Sequence, residues 1–273
     1  MKNSVMIAST LCTAIMLGGC SSTSVRQDGS HRQNETRAVA SGDPVSAKNI
    51  VIVHGAFADG SGWESVYRIL TNDGYNVTIV QNPLVSLAAD VTATQNVLAA
   101  QNGPVVLVGH SYGGAVITQA GNDPKVKSLV YVAAYVPDAG ESVGDLLAKA
   151  DQSVPAPPIQ IDGKKGIALL DRAKFPEAFA ADIDRSKAEF LAASQAPLGL
   201  PAVSAKITTA AWKTKPSYYI ISSEDRMIPP ADERLFAAKA KAVQQFEFKA
   251  SHAVFISQPD QVAKVIEQAA ASN

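Results

Sequence analysis

The sequence predicts an α/β protein: a doubly wound, mostly parallel six-stranded sheet carrying an inserted helical cap. Three observations predict it. From Asn49 onward, short apolar runs alternate with helix-compatible segments. One run, Val105-Val106-Leu107-Val108, leads into Gly109-His110-Ser111-Tyr112-Gly113, a Gly-x-Ser-x-Gly turn with a helical stretch after it. The alternation also stops between about residues 137 and 214 and then resumes, which marks an insertion.

The elements follow in order. Ile50-Val51-Ile52-Val53 is an apolar, mostly β-branched run, read as the first buried strand. A helix is expected near Gly62, because Ser61 and Glu64 have capping-box spacing. Trp63, Val66, Tyr67 and Leu70 then share one helical face, and Gly74 closes the helix. Asn76 to Val80 is the second strand and Leu87 to Gln101 the second helix, ended by Asn102-Gly103-Pro104. Val105 to Val108 is the third strand, Gly113 to Asn122 a helix, and Ser128 to Val132 the fourth strand. In the insertion, Lys174 to Ile183 and Lys187 to Ser194 read as helices without intervening strands. Ser217 to Ile221 and Gln244 to Phe248 are the last two strands, with helices over about Ala231 to Lys241 and Gln258 to Ala270. If the second strand lies outside the first, the order is 2-1-3-4-5-6. The switch point then falls between strands one and three, where ligands of such sheets bind.

Composition bounds the function. The chain has 273 residues, enough for one large domain with a sizeable core. Charged residues make up 18% and the net charge is −1, which speaks against a nucleic-acid partner. Both cysteines, Cys12 and Cys20, precede the folded region, so that region has no disulfide and no thiolate site. No histidine pair has ligand spacing and no carboxylates cluster, so neither a metal nor another cofactor is expected.

At the N-terminus, Lys2 precedes a mostly apolar stretch, Val5 to Leu17, that is short for a membrane span. Leu17-Gly18-Gly19-Cys20 resembles the lipobox of bacterial lipoproteins. The resemblance implies that residues 1–19 are a signal peptide, and that Cys20 carries a lipid anchoring the chain to a bacterial membrane. In a Gram-negative cell this would be the outer membrane, facing the periplasm. A plain secretory signal is the alternative. Residues 20–48 are polar and read as a disordered tether. The folded domain is then 49–271, with its cap at about 137–214.

The chemistry gathers on strand carboxyl ends. In the Gly-x-Ser-x-Gly turn, Ser111 needs a strained backbone to project its hydroxyl, and Gly109 and Gly113 must be small because strand and helix approach there. A serine hydroxyl needs a base held by a carboxylate. Among the four histidines, His252 directly follows the last strand, whereas His31 is in the tether and His54 and His110 sit in loops. Glu224 and Asp225 both follow the fifth strand, and spacing alone does not separate them. The N–H groups of Tyr112 and of the loop His54-Gly55-Ala56-Phe57 suit an oxyanion hole, with Ala56 the first choice and Phe57 the next. Phe57, Trp63 and Trp212 are expected in the pocket wall, although the bland reading of both tryptophans is core packing.

Ser111, a later acid and His252, with His-Gly in the first loop, resemble the α/β-hydrolase superfamily over residues 49 to 271. More narrowly, His54 to Trp63, Asn82-Pro83-Leu84, Asp225 to Pro230 and Ser251 to Val254 with Ser257-Gln258-Pro259 are similar to small bacterial esterase-like members. These are distantly similar to the plant methylesterase and hydroxynitrile lyase group. The Asp-x-x-Ile-Pro continuation selects Asp225 within that pattern. The first-loop tryptophan lies two residues further along than in the plant group, and the superfamily's first two strands have no counterpart. The resemblance implies hydrolysis of small to medium carboxylic esters through an acyl-enzyme on Ser111, with Asp225 and His252. The alternatives are a lactone or amide hydrolase, a hydroxynitrile-lyase-like C–C lyase, and an inactive ligand-binding lipoprotein.

Overall fold

The alternating runs form a six-stranded parallel sheet in the computed structural model, which describes residues 47–151 and 154–272. The strands are Asn49–Val53 (β1), Asn76–Val80 (β2), Val105–His110 (β3) and Val126–Val132 (β4), then Ser217–Ser222 (β8) and Gln244–Phe248 (β9) after the insertion. Their order is β2-β1-β3-β4-β8-β9, the expected one. Val53 pairs with Gly109 in register, so the loop leaving β1 emerges beside the turn leaving β3.

Continuous apolar runs form these strands because both faces of the sheet are covered. Val51, Val53, Leu107, Leu129 and Tyr131 point to one side, beneath Leu87–Ala99 (α2), Gly113–Ala120 (α3) and Pro230–Lys239 (α8). Ile50, Ile52, Val106, Val108, Val130 and Val132 point to the other, against Glu64–Asn72 (α1) and Pro259–Ala271 (α10). Each such fully buried side chain contributes about 1.5–3 kcal/mol.

Local chemistry corrects three expectations. The first helix is entered through a 3-10 turn, Gly60–Trp63, capped by Asp59, which accepts from the Ser61 N–H at 2.7 Å, so Ser61 is not the cap. Tyr67 is exposed, while Trp63, Val66 and Leu70 are buried. Ala47 and Lys48, assigned to the tether, belong to the fold: the Ala47 N–H donates to the Ala270 carbonyl, and the Lys48 carbonyl accepts from Asn76. The expected signal peptide, Cys20 and the remainder of the tether lie outside the described residues.

The cap is not purely helical. Between Val143–Ala148 (α4) and Phe175–Phe179 (α5), strands Ile159–Asp162 (β5) and Ile167–Leu170 (β6) form an antiparallel hairpin. Asp162 accepts from the N–H groups of Lys164 and Lys165, an Asx-type turn, and Gly166 takes the left-handed conformation before β6. After Arg185–Ser194 (α6), the short strand Leu198–Gly199 (β7) adds to β6, and Leu200–Ser204 (α7) follows. Gly199 also donates to the Leu84 carbonyl at 2.7 Å, fastening the cap to the loop before α2. Val254–Ser257 (α9) precedes α10.

Candidate active site

Ser111 sits where β3 passes into α3 with φ +53°, a conformation that costs a non-glycine residue energy. The surroundings hold it there. Its N–H donates to the Val132 carbonyl at 3.2 Å, and its carbonyl accepts from Gly114 and Tyr135. A Cβ on Gly113 would lie 2.5 Å from the Val53 carbonyl oxygen, so only glycine lets α3 start this close to β1.

The loop after β1 lies against this turn. A Cβ on Gly55 would come within 2.7 Å of the Ser111 Cβ. His54 fixes the loop. Its Nδ1 donates to the Gly55 carbonyl at 2.9 Å, and its Nε2 accepts from the Asn82 N–H at 2.9 Å, while burial lowers its pKa and keeps it neutral. Phe57 adopts φ +60°. Among the described residues, none accepts a hydrogen bond from the N–H groups of Ala56, Phe57 or Tyr112.

Asp225 and His252 meet from the ends of β8 and β9. The Nδ1 of His252 lies 2.5 Å from Asp225 Oδ2, and both side chains are buried. The carboxylate can only accept here, so the imidazole carries its proton on Nδ1. Its Nε2 is left with the lone pair, buried and without a hydrogen-bond partner among the described residues. The other carboxylate oxygen, Oδ1, accepts from the N–H groups of Met227 at 2.6 Å and Ile228 at 2.9 Å. Glu224, the competing acid, points outward to Lys249.

His110 supports the ring from behind. Its Nε2 lies 3.0 Å from the His252 carbonyl, to which it donates, and the two rings are 4.5 Å apart. Burial, then the neighbouring His252, push the His110 pKa well down, so it stays neutral. Phe179 of the cap meets the His252 ring edge-on at 4.9 Å and stacks on Phe175 at 4.8 Å.

The pocket residues divide. Phe57 lines a narrow cavity of about 10 Å³ together with Phe175, Phe179 and Phe255. A larger cavity of about 880 Å³ runs under the cap past Tyr135, Leu146 and Phe236 and reaches Asp225 and Met227. Trp63 and Trp212 line neither, contrary to expectation. Trp63 is directed to the α1/α10 side of the sheet and stacks on Phe255 at 4.5 Å. Trp212 donates from its indole nitrogen to the Pro137 carbonyl at 3.0 Å, tying together the two ends of the cap.

Three acids near the site were not singled out from sequence. Asp90 accepts from the Tyr112 hydroxyl at 2.7 Å and the Leu84 N–H at 2.7 Å, and burial raises its pKa. Asp182 binds Ser251, and Glu233 lies behind Asp225. Asp90 and Glu233 each occupy the first turn of a helix, where an acid is ordinary, so nothing in the sequence set them apart.

Comparison with known proteins identifies the fold. Residues 50–265 match the family described as Alpha/beta hydrolase family. A carbendazim hydrolyzing esterase of Nocardioides sp. (strain SG-4G) is 37% identical over 116 residues, covering 37% of this chain and 48% of that protein. A putative chloroplastic methylesterase of Arabidopsis thaliana is 25% identical over 256 residues, covering 82% of this chain and 64% of that protein. The matched regions thus span less than two thirds of either relative. The crystal structure of polyneuridine aldehyde esterase superposes with a TM-score of 0.70 at 20% identity, covering 81% of this chain and 98% of that one.

Proposed function

The chain belongs to the alpha/beta hydrolase family, and on that premise we propose that it hydrolyses carboxylic esters of small to medium size through an acyl-enzyme on Ser111. The observation that carries this reading is the state of His252: Asp225 fixes its Nδ1–H, and its Nε2 is buried with no hydrogen-bond partner among the described residues.

In this mechanism Nε2 takes the proton of Ser111 as its oxygen attacks the ester carbonyl. Asp225 keeps the tautomer and stabilises the imidazolium without taking the proton. The carbonyl oxygen, now negative, turns toward the N–H groups of Tyr112 and Ala56, which have no acceptor among the described residues, with Phe57 the next donor along. The imidazolium returns its proton to the leaving alcohol. Water then attacks the acyl-enzyme by the same route in reverse. Phe57, Phe175 and Phe179 supply apolar surface, Phe179 directly against the His252 ring, which suits the carbon skeleton of an ester.

The test combines a fluorophosphonate probe with a panel of chromogenic esters. The folded chain is expected to be labelled at Ser111 and to turn over part of the panel, and Ser111→Ala is expected to lose both. Tight ligand binding without labelling or turnover would mean a binding protein instead. Lactone or amide turnover, or C–C cleavage, with Ser111 labelled would reassign the reaction but keep the nucleophile.

We also propose export and lipid anchoring through Cys20, supported by Leu17-Gly18-Gly19-Cys20. Metabolic incorporation of a clickable fatty acid, lost in Cys20→Ala, tests it. Unchanged incorporation in that variant would refute it.

A further inference from the structure

Glu233 is a wholly buried carboxyl group that the proposed mechanism does not use. It lies in the first turn of α8, behind the turn that carries Asp225. One oxygen, Oε2, accepts from the Ser222 N–H at 3.0 Å, and the Ser222 carbonyl in turn accepts from the Asp225 N–H. The other, Oε1, is buried with no donor to accept from among the described residues. The Asp225 carboxylate is its charged neighbour.

Two carboxylates cannot face each other ionised in a dry site, so one must hold a proton. Asp225 already receives the N–H groups of Met227 and Ile228 and the Nδ1–H of His252, all of which favour its charge. Glu233 receives one N–H. Its neighbour in sequence, Arg234, is turned outward into a two-pronged pair with Glu247. The charge therefore belongs on Asp225 and the proton on Glu233. Burial first, then the proximity of Asp225, raise the Glu233 pKa well above the ordinary carboxylate range, in the same sense.

We propose that Glu233 is a positioning residue, whose neutral carboxyl donates through Oε1 to Asp225 and fixes that carboxylate for His252. This inference rests on the assignment of Asp225 and His252 in the proposed function. The role is indirect, since Glu233 touches neither substrate nor the reacting atoms. It completes the set of donors around Asp225 and withholds a second negative charge from behind the triad. Ionisation of Glu233 would remove a donor and add that charge, so the proposal makes activity sensitive to alkaline pH. The titratable groups that face Glu233 are Asp225, Tyr135 and Tyr219, while Asp232 and Arg234 flank it on α8, Arg234 turned outward. Replacement by glutamine keeps a donor and an acceptor in the same shape but cannot ionise.

The experiment compares wild type, Glu233→Gln and Glu233→Leu in the full chain, by Ser111 labelling rate with a fluorophosphonate and by ester kinetics across pH. Glu233→Leu is expected to lower kcat and labelling rate about tenfold with KM nearly unchanged, and Glu233→Gln to recover most of that loss. Glu233→Gln is further expected to hold its kcat to higher pH than wild type. Infrared difference spectroscopy gives a readout free of turnover: a protonated-carboxyl C=O band at neutral pH in wild type, missing from Glu233→Gln. Should Glu233→Leu fail to fold, the glutamine variant decides. An unshifted alkaline limb with no missing band overturns the proposal. Failure of wild type to label at Ser111 refutes the serine mechanism itself, a different result.

Discussion

Asp182 of the cap accepts from both the backbone N–H, at 3.0 Å, and the hydroxyl of Ser251, the residue preceding His252. The Ser251 hydroxyl also reaches the Phe179 carbonyl at 3.2 Å. The loop that carries the proposed base is therefore fastened to the cap, not only to the sheet. The cap has a part in placing His252 as well as in covering it.

Loosening that fastening should cost activity before it costs the fold. Asp182→Ala removes the acceptor for two donors but leaves Phe179 stacked on Phe175. A stability loss of about 1 kcal/mol is expected for this partly exposed contact, with kcat lowered about three- to tenfold. Denaturant melts and ester kinetics on the same preparation check both. A kcat equal to wild type would mean that the sheet alone holds His252.

The two adjacent acids after β8 should behave oppositely. Asp225→Asn keeps an oxygen for the Met227 and Ile228 N–H groups but presents an amide to Nδ1, favouring the wrong tautomer. A fall in kcat of about 10⁴-fold is expected, from the cost of losing tautomer control in such triads. Glu224→Gln, at an exposed pair with Lys249, is expected to stay within about twofold. Comparable losses in the two variants would show that the acid had been assigned to the wrong residue.

The elbow is braced from α2 by the Tyr112–Asp90 hydrogen bond. Tyr112→Phe leaves a buried carboxyl oxygen without its donor. An orphaned buried polar group costs about 1–3 kcal/mol, so the melting temperature should drop measurably. The neighbouring Leu84 N–H still binds the other oxygen, so the fold should survive. If Asp90→Asn in the same background restores nothing and costs as much again, the two residues do not act as a unit.

The parallel sheet and its reversal of order were legible because β1, β3 and β4 are long apolar runs that neither face leaves to solvent. The positions of Ser111 and His252 followed from lying just past strand ends. Less was legible where one residue decides direction. Glu224 and Asp225 differ by a single step around a turn, and only folding shows that one faces Lys249 and the other His252. Capping-box spacing points to Ser61 as the cap of the first helix entry, whereas Asp59, two residues earlier, caps it in the structure. The β5–β6 hairpin was missed because its four-residue strands are half-exposed and carry little periodicity. Trp63 looked equally like pocket wall and core, since a tryptophan beside a loop satisfies both patterns until the sheet face is known.

The buried acids also set how stability depends on pH. In the unfolded chain Glu233 titrates in the ordinary carboxylate range. In the folded chain burial and Asp225 hold its proton to much higher pH. Between those two values the native state binds more protons than the unfolded state, so stability is fullest at the acidic end and falls as pH rises. The limiting slope for one such proton is about 1.4 kcal/mol per pH unit. Asp90, also raised by burial, adds to the same trend. Glu233→Gln has no proton to lose, so its stability should decline less steeply with pH and exceed that of wild type at the alkaline end. Part of the slope should remain, because Asp90 is untouched. Chemical denaturation of both proteins from about pH 5 to 9 reads this directly. Parallel stability curves would mean that Glu233 ionises in the folded state as readily as in the unfolded one, and that its buried carboxyl is stabilised as an anion by the Ser222 N–H alone.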